Sequence, residues 1–150
     1  MRPGAWSVTG FLGPTERLTE VLSADAEALD ALGVTASHLA DRLDHLLGAA
    51  KASRDRRATV GPYDVRVEIS RGFQLCPWTI DRLAGQCTAG GGVTHASTRW
   101  WLRNRTSGEH LQGPGLLVHL MRAHGFFEGR QVPDRVGPEE LARILEVQAP

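Results

Sequence analysis

The sequence contains little lysine and cysteine, and it has no long apolar run. Lys51 is the single lysine beside sixteen arginines, a bias typical of proteins from GC-rich bacterial genomes. No apolar run approaches the roughly 20 residues that cross a bilayer, so we expect no membrane association. Residues 1–6 lack the apolar stretch of a secretory signal, which predicts a cytoplasmic protein. In that reducing compartment, the two cysteines are expected to be thiols or metal ligands and not a disulfide.

The formal charge of the chain is zero, but the charges are unevenly distributed. Residues 1–50 carry a net charge of −4, residues 51–130 carry +6 and residues 131–150 carry −2. A basic middle between acidic ends permits binding of an anionic partner, either nucleic acid or an acidic protein. The same distribution also permits the acidic ends to pack against the middle of the chain.

Residues 1–50 are predicted to form an N-terminal helical segment. Thr35 is a suitable N-cap, and Gly33 and Gly48 are expected to end the helices that precede them. An apolar stripe at i, i+4, i+7 and i+8 follows Thr35 and consists of Leu39, Leu43, Leu46 and Leu47. This stripe predicts a helix face that packs in the core. In an alternative interpretation, the same stripe is the seam of a homodimer in a protein-interaction module.

Residues 51–62 are predicted to be a linker, and residues 63–150 an α+β domain that resembles zinc-binding domains. The linker is charged, and Gly61-Pro62 would break a continuing helix. The hydrophobic period then changes from 3.6 to 2, which predicts a half-buried strand from Tyr63 to Ser70.

Two more strands and two helices are predicted beyond that first strand. Residues 97–105 and a strand starting at His110 are expected to form a hairpin across the turn at 106–109. A helix should follow Pro114 and end at Gly125, and a final helix should begin near Pro138. The predicted fold is therefore α+β, with N-terminal helices, a small antiparallel sheet and a helix that closes a metal site against the sheet.

Two cysteines and two histidines form the group with the clearest chemical meaning. Cys76 and Cys87 lie between strand-like segments, and His119 and His124 lie on the helix that follows. Thiolate sulfur and imidazole nitrogen are preferred zinc ligands, and four of them close a tetrahedral structural site. Side chains five residues apart differ by about 140° around an ideal helix, so convergence of the histidines requires a loosened last turn. Gly125 permits that loosening.

The segment from Leu117 to Gly125 resembles the helix of a C2H2 zinc finger, in which a hydrophobic helix presents two histidines after a cysteine-bearing hairpin. The resemblance covers residues 76–125 and implies a zinc ion held by the two cysteines and two histidines. Ten residues separate the cysteines, a wider spacing than in a finger. Residues 119–129 also resemble a signature of uncharacterised bacterial proteins, to which no activity is attached.

Other uses of the same residues remain open at this point. His95 or His110 would replace a ligand in a different arrangement of the site. With only three protein ligands, water would fill the fourth position and the site would be catalytic, with Glu128 as the first candidate for a general base. A thiol enzyme with Cys76 as its nucleophile is a further alternative.

Tryptophan and arginine are interleaved along one predicted strand. The face that carries them is expected to consist of Arg99, Trp101, Arg103 and Arg105. Such a face is able to stack on bases and pair with phosphates. It also arises when Trp100 fills the core and arginine covers Trp101 on the wet side. The preferred function is a zinc-stabilised binding module whose basic sheet face contacts nucleic acid or another anionic partner. The alternative is a small zinc- or thiol-dependent enzyme.

Overall fold

A computed structural model describes residues 10–81, 86–89 and 94–147. The elements in chain order are α1 (Leu18–Leu32), α2 (Ala36–Ala52), β1 (Arg57–Val60), β2 (Tyr63–Leu75), β3 (Thr79–Asp81), β4 (Gln86–Cys87), β5 (Thr94–Asn104), β6 (His110–Pro114), α3 (Leu116–His124) and α4 (Pro138–Ile144). The predicted α+β class and its antiparallel sheet are confirmed. Among the described residues, no helix combines the length and the hydropathy that crossing a membrane requires.

The main sheet has the strand order β1-β2-β5-β6, and every neighbouring pair is antiparallel. The register between β2 and β5 shifts between Ile69 and Phe73, where Gly72 adopts a φ of 106°. This irregularity bends the end of β2 away from a regular ladder. The separate pair β3–β4 follows that end, so the bulge precedes the segment that carries the two cysteines.

The period-2 pattern of the sequence determines the two faces of the sheet. Val65, Val67, Trp100 and Leu102 are buried on the inner face, where α2 and α4 contribute to the same core. The leucine stripe of α2 lies in this core, with each of its four side chains at most 1% exposed. The stripe therefore serves as a core face within one chain and gives no support to a homodimer seam.

A second apolar cluster lies beside the main core and surrounds the two cysteines. It is formed by Phe11, Leu12, Val21, Leu116, Leu120 and Phe126 together with Cys76 and Cys87. Helix α3 contributes to both clusters, because Leu117 and Met121 belong to the main core. The helix that carries the histidines is thus fixed on two sides by apolar contacts.

The local structure between the helices and the sheet differs in two places from the sequence prediction. Helix α2 continues past Gly48 to Ala52, because one glycine costs only about 1 kcal/mol relative to alanine and Ala49 and Ala50 follow it. Strand β1 occupies Arg57–Val60, inside the segment that the sequence predicts to be a linker. Its four residues are too few and too polar to give a period-2 signal, and its pairing with β2 decides its conformation.

Candidate metal centre

Three separate segments bring the four predicted ligands together. Cys76 directly follows β2, Cys87 ends β4, and His119 and His124 lie on α3. Each of the four side chains offers one potential ligand atom, and these four atoms all lie within 4.8 Å of one another. Both thiols are buried, as is Nε2 of His119. The sequence therefore identified all four members of a Cys2His2 cluster that could hold a metal ion.

The distances within the cluster are those of ligands around one ion. The two Sγ atoms are 3.6 Å apart, and Nε2 of His124 lies 3.3 Å from Sγ of Cys76 and 3.1 Å from Sγ of Cys87. Tetrahedral zinc with ordinary bond lengths places two sulfurs about 3.8 Å apart, and sulfur and nitrogen about 3.6 Å apart. The observed edges are a few tenths of an ångström shorter. A disulfide would require about 2.05 Å, so the cysteines are free thiols.

The two histidines, five residues apart, both lie on α3, and their rings meet near its C-terminal end. The rings of His119 and His124 are 5.4 Å apart between centroids and inclined at 77°. Gly125 takes a left-handed φ of 59° and donates its N–H to the carbonyl of Met121. The N–H of Phe126 then bonds the carbonyl of Leu120, six residues back instead of four. These bonds cap α3 directly after His124, and the helix stays regular up to that residue, so the expected loosening of its last turn is not observed.

Aromatic side chains pack around the cluster and hold one ligand in place. The indole of Trp78 stacks on the imidazole of His124, with 4.2 Å between centroids and 8° between planes. Phe126 meets the same indole edge-on at 5.1 Å. The sequence indicates Trp78 only as a near neighbour of Cys76. Its contact with His124 depends on folding between segments that are far apart in the chain.

Burial favours the neutral forms of Cys76 and His124. It raises the pKa of the Cys76 thiol to about 12, with a contribution from the neighbouring Cys87. It also lowers the pKa of His124, so the imidazole stays uncharged at neutral pH. Neutral imidazole is the form that binds metal, whereas each thiol must release its proton to do so. A bound cation would neutralise the negative charge of the deprotonated thiols, which is otherwise unfavourable in apolar surroundings.

The alternative candidates for the site lie elsewhere or outside the described side chains. His110 begins β6 on the exposed side of the sheet, away from the cluster. The side chain of His95 lies outside the described residues. Glu128, the candidate general base of a catalytic site, lines a cavity whose described walls include none of the four ligands.

The predicted nucleic-acid-binding residues follow the outer face of β5. Arg99 forms a two-bond ion pair with Asp134, with N–O distances of 2.8 and 3.3 Å. Arg105 lies just past the strand, where it pairs with Asp64 at 3.6 Å. Arg103 is exposed. Two of the three arginines therefore already have carboxylate partners.

Trp101 is covered by an arginine from the neighbouring strand. The guanidinium carbon of Arg66 lies 4.4 Å from the centroid of the Trp101 ring, a cation–π contact across the β2–β5 pair. The two residues form part of an open groove of about 660 Å³ on the outer sheet face. Its charged lining residues are Asp55, Arg57, Asp64, Arg66 and Arg103. The groove therefore has a small excess of positive charge, and it contains the guanidinium of Arg66 stacked on the indole of Trp101.

No protein family, curated protein or solved structure matches this sequence. The likeness to a C2H2 zinc finger is limited to the ligand set and to the order of strand, strand and helix. Here β5 and β6 lie between the cysteine-bearing pair β3–β4 and the histidine-bearing α3. The cluster is thus part of a larger α+β domain.

Proposed function

We propose that this chain is a zinc-stabilised binding domain in which the Cys2His2 cluster is structural and the outer sheet face binds nucleic acid. The observation that carries the first part is the convergence of two sulfurs and two imidazoles, whose potential ligand atoms all lie within 4.8 Å of one another. Four protein ligands leave no coordination position for water, which is the arrangement of a structural zinc site.

The surroundings of the cluster support a role in stability. Both cysteines lie inside an apolar cluster with Leu116, Leu120 and Phe126. The ion would connect the end of β2, the β3–β4 pair and α3, which also meet through apolar contacts and through the hydrogen bond from the Leu116 N–H to Gln74 Oε1. Because such a site does not form in the unfolded chain, zinc binding would add directly to the free energy of folding.

The groove on the outer sheet face supports the second part of the proposal. Arg57 and Arg103 offer guanidinium groups for phosphates. Arg66 is ion-paired with Glu68 at 3.3 Å, but with Trp101 it offers a planar surface for a base. Arg99 and Arg105 extend this arginine-bearing face, although their ion pairs reduce what they contribute. An acidic protein could bind the same arginines, but it would leave the planar surface of Arg66 and Trp101 unused. Nucleic acid is therefore the preferred partner.

The zinc proposal is tested by elemental analysis of the purified chain and of matched histidine variants. We expect one zinc per chain, retained in His45→Ala and lost in His119→Ala. His45 is exposed on α2, outside the cluster, and therefore controls for removal of an imidazole. A wild-type chain that is folded and metal-free after growth and purification with zinc present would refute the proposal.

The nucleic-acid proposal is tested by fluorescence anisotropy with labelled single-stranded and duplex 20-mers at several salt concentrations. Binding should weaken with salt, because each neutralised phosphate contributes about −0.7 to the logarithmic slope for a single strand. Arg103→Glu should weaken binding and reduce that slope by about 1 or more. Arg17→Glu, an exposed charge reversal on the N-terminal flank of α1, should have much less effect. Salt-independent binding, or none, would remove this function.

The enzyme alternative is less well supported, because the site shows neither an activated nucleophile nor an open position on the metal. A nucleophilic cysteine has a lowered pKa, whereas burial raises that of Cys76. A hydrolytic zinc ion keeps an open position, whereas this cluster supplies four ligands.

A further inference from the structure

A small cavity lies beside the metal cluster, between the irregular end of β2 and the segment after α3. Its volume is about 270 Å³, and Glu128, Asp134 and Gln74 are its polar lining residues. Its other walls are largely apolar and include Phe11, Phe73 and Leu75. The cavity is partly open at Phe73 and Leu75, and a concave space that combines apolar walls with a few polar groups is the usual form of a small-molecule site.

Glu128 is an unusual residue for this position on two grounds. It is only 5% exposed, and its backbone has a φ of 67°, a strained left-handed conformation for a residue with a long side chain. No hydrogen bond to its carboxyl group comes from any other residue in the described parts of the chain. Backbone strain occurs at functional sites, and here it falls on a residue whose mostly buried side chain borders a cavity.

The cations near Glu128 are already engaged by other carboxylates. Arg99 donates to both carboxylate oxygens of Asp134. Arg135 donates to both oxygens of Asp25, and it also bonds the main-chain carbonyl of Glu128. Burial, and secondly the negative Asp134, raise the pKa of Glu128 to about 8, while Arg135 acts in the opposite direction. The carboxyl group is therefore mostly protonated at neutral pH and lacks a counter-ion of its own.

We propose that this cavity binds a small hydrophobic primary amine, with the ammonium group on the carboxylate of Glu128 and the hydrocarbon body against the apolar walls. The bound cation would supply the charge that Glu128 lacks, and Asp134 would add to the attraction. Phe73 is 72% exposed beside this space, so a ligand body would also cover aromatic surface. This site uses none of the groups of the zinc and nucleic-acid proposals.

Binding of the amine should release a proton. At pH 7 the amine is an ammonium ion and Glu128 is largely a neutral acid. Formation of the ion pair transfers the carboxyl proton to the buffer, while the ammonium keeps its three protons. Apparent affinity should therefore rise by up to tenfold per pH unit below the pKa of Glu128 and level off above it. The charged groups that face Glu128 are Asp134 and Arg135, which are held in turn by Arg99 and Asp25.

Calorimetry with 2-phenylethylamine, 2-phenylethanol and phenylacetate tests this site. We expect the amine to bind at least tenfold more tightly than the alcohol at pH 8, and phenylacetate not to bind. Titrations in two buffers of different ionisation enthalpy should show that nearly one proton is released at pH 6.5. Equal affinity for the amine and the alcohol, or no binding at millimolar concentration, would overturn the inference.

Two matched variants assign the effect to Glu128. Glu128→Gln keeps the shape of the neutral acid, so the fold should persist, which circular dichroism checks. It should lower amine affinity at least tenfold and abolish the pH dependence, while leaving the alcohol unchanged. Glu27→Gln makes the same substitution at an exposed position of α1 and should bind like wild type. Retention of pH-dependent amine binding by Glu128→Gln would place the site elsewhere and refute the assignment.

Discussion

The indole of Trp78 lies parallel to the imidazole of His124, with 4.2 Å between the ring centroids. His124 is also the ligand within 3.3 Å of both cysteine sulfurs. One side of the ring therefore faces an aromatic plane while its Nε2 points to the thiols. Trp78 thus fixes the orientation of a ligand without being one itself.

Trp78→Ala should weaken zinc binding without removing a ligand. A stacked aromatic pair contributes about 0.5–1.5 kcal/mol beyond simple burial, so the dissociation constant should rise by a factor of about 2 to 12. Competition with a fluorescent zinc chelator measures this change. Trp101→Ala removes an indole from the opposite side of the sheet and should leave zinc affinity unchanged. Equal effects of the two variants would contradict a specific role for the stack.

Removal of zinc should lower the stability of the folded chain. At a free zinc concentration about 1,000-fold above the dissociation constant, bound metal stabilises a folded protein by about 4 kcal/mol. Urea unfolding with zinc present and with a chelator added should therefore differ by about that amount. In Cys76→Ser, the two conditions should give nearly the same midpoint. A wild-type midpoint that does not depend on zinc would exclude a structural ion.

Glu128→Gln should change how stability depends on pH. The folded pKa of Glu128, about 8, lies above its ordinary value of 4.5, so the folded state holds a proton that the unfolded state releases. Its contribution is greatest below pH 4.5 and decreases as pH rises toward 8. Glutamine keeps the neutral form, so the stability of the variant relative to wild type should increase between pH 4.5 and 8, by several kcal/mol in total, on the order of the shift, with little further change above pH 8. Urea unfolding of both proteins across that range measures the difference, and parallel pH profiles would contradict it.

Asp25→Ala should be among the more destabilising single substitutions on α1. Asp25 is 1% exposed, and its carboxylate lies 2.5 Å from the guanidinium of Arg135. Removal of one partner of a buried ion pair costs about 3–5 kcal/mol, because the other charge remains buried. Glu20→Ala breaks the exposed Arg17–Glu20 pair on the same helix and should cost at most about 1 kcal/mol. Chemical denaturation of both variants distinguishes these magnitudes.

Local periodicity was sufficient to predict most of the fold. The leucines of α2 and the alternation from Tyr63 onward gave the correct element types, because each pattern directly reflects one buried face. Strand β1 could not be predicted in this way, since its conformation comes from pairing with β2. The extension of α2 past Gly48 likewise depends on the alanines that follow it, and one of them, Ala50, is buried in the core.

The candidate site was predictable in its ligands and less so in its surroundings. Cysteine and histidine are the preferred zinc ligands, so the sequence alone was enough to group Cys76, Cys87, His119 and His124 as a candidate site. The stacking of Trp78 and the burial of Glu128 depend on contacts between distant segments, and no spacing in the sequence indicates them. Arg99 and Arg103 lie on β5 and Arg105 just past it, but the pairing of Arg99 with Asp134 and of Arg105 with Asp64 was not visible in the sequence.

The order of the ligands along the chain has a consequence for biosynthesis. Domains begin to fold as they emerge from the ribosome, N-terminal parts first. The two thiols are made well before α3, so during translation they exist as an exposed pair without their histidine partners. If the cluster holds zinc as proposed, its ligand set is complete only when His124 has emerged, after the sheet strands have been synthesised. Maturation of this domain should therefore depend on the zinc supply at a late stage of translation.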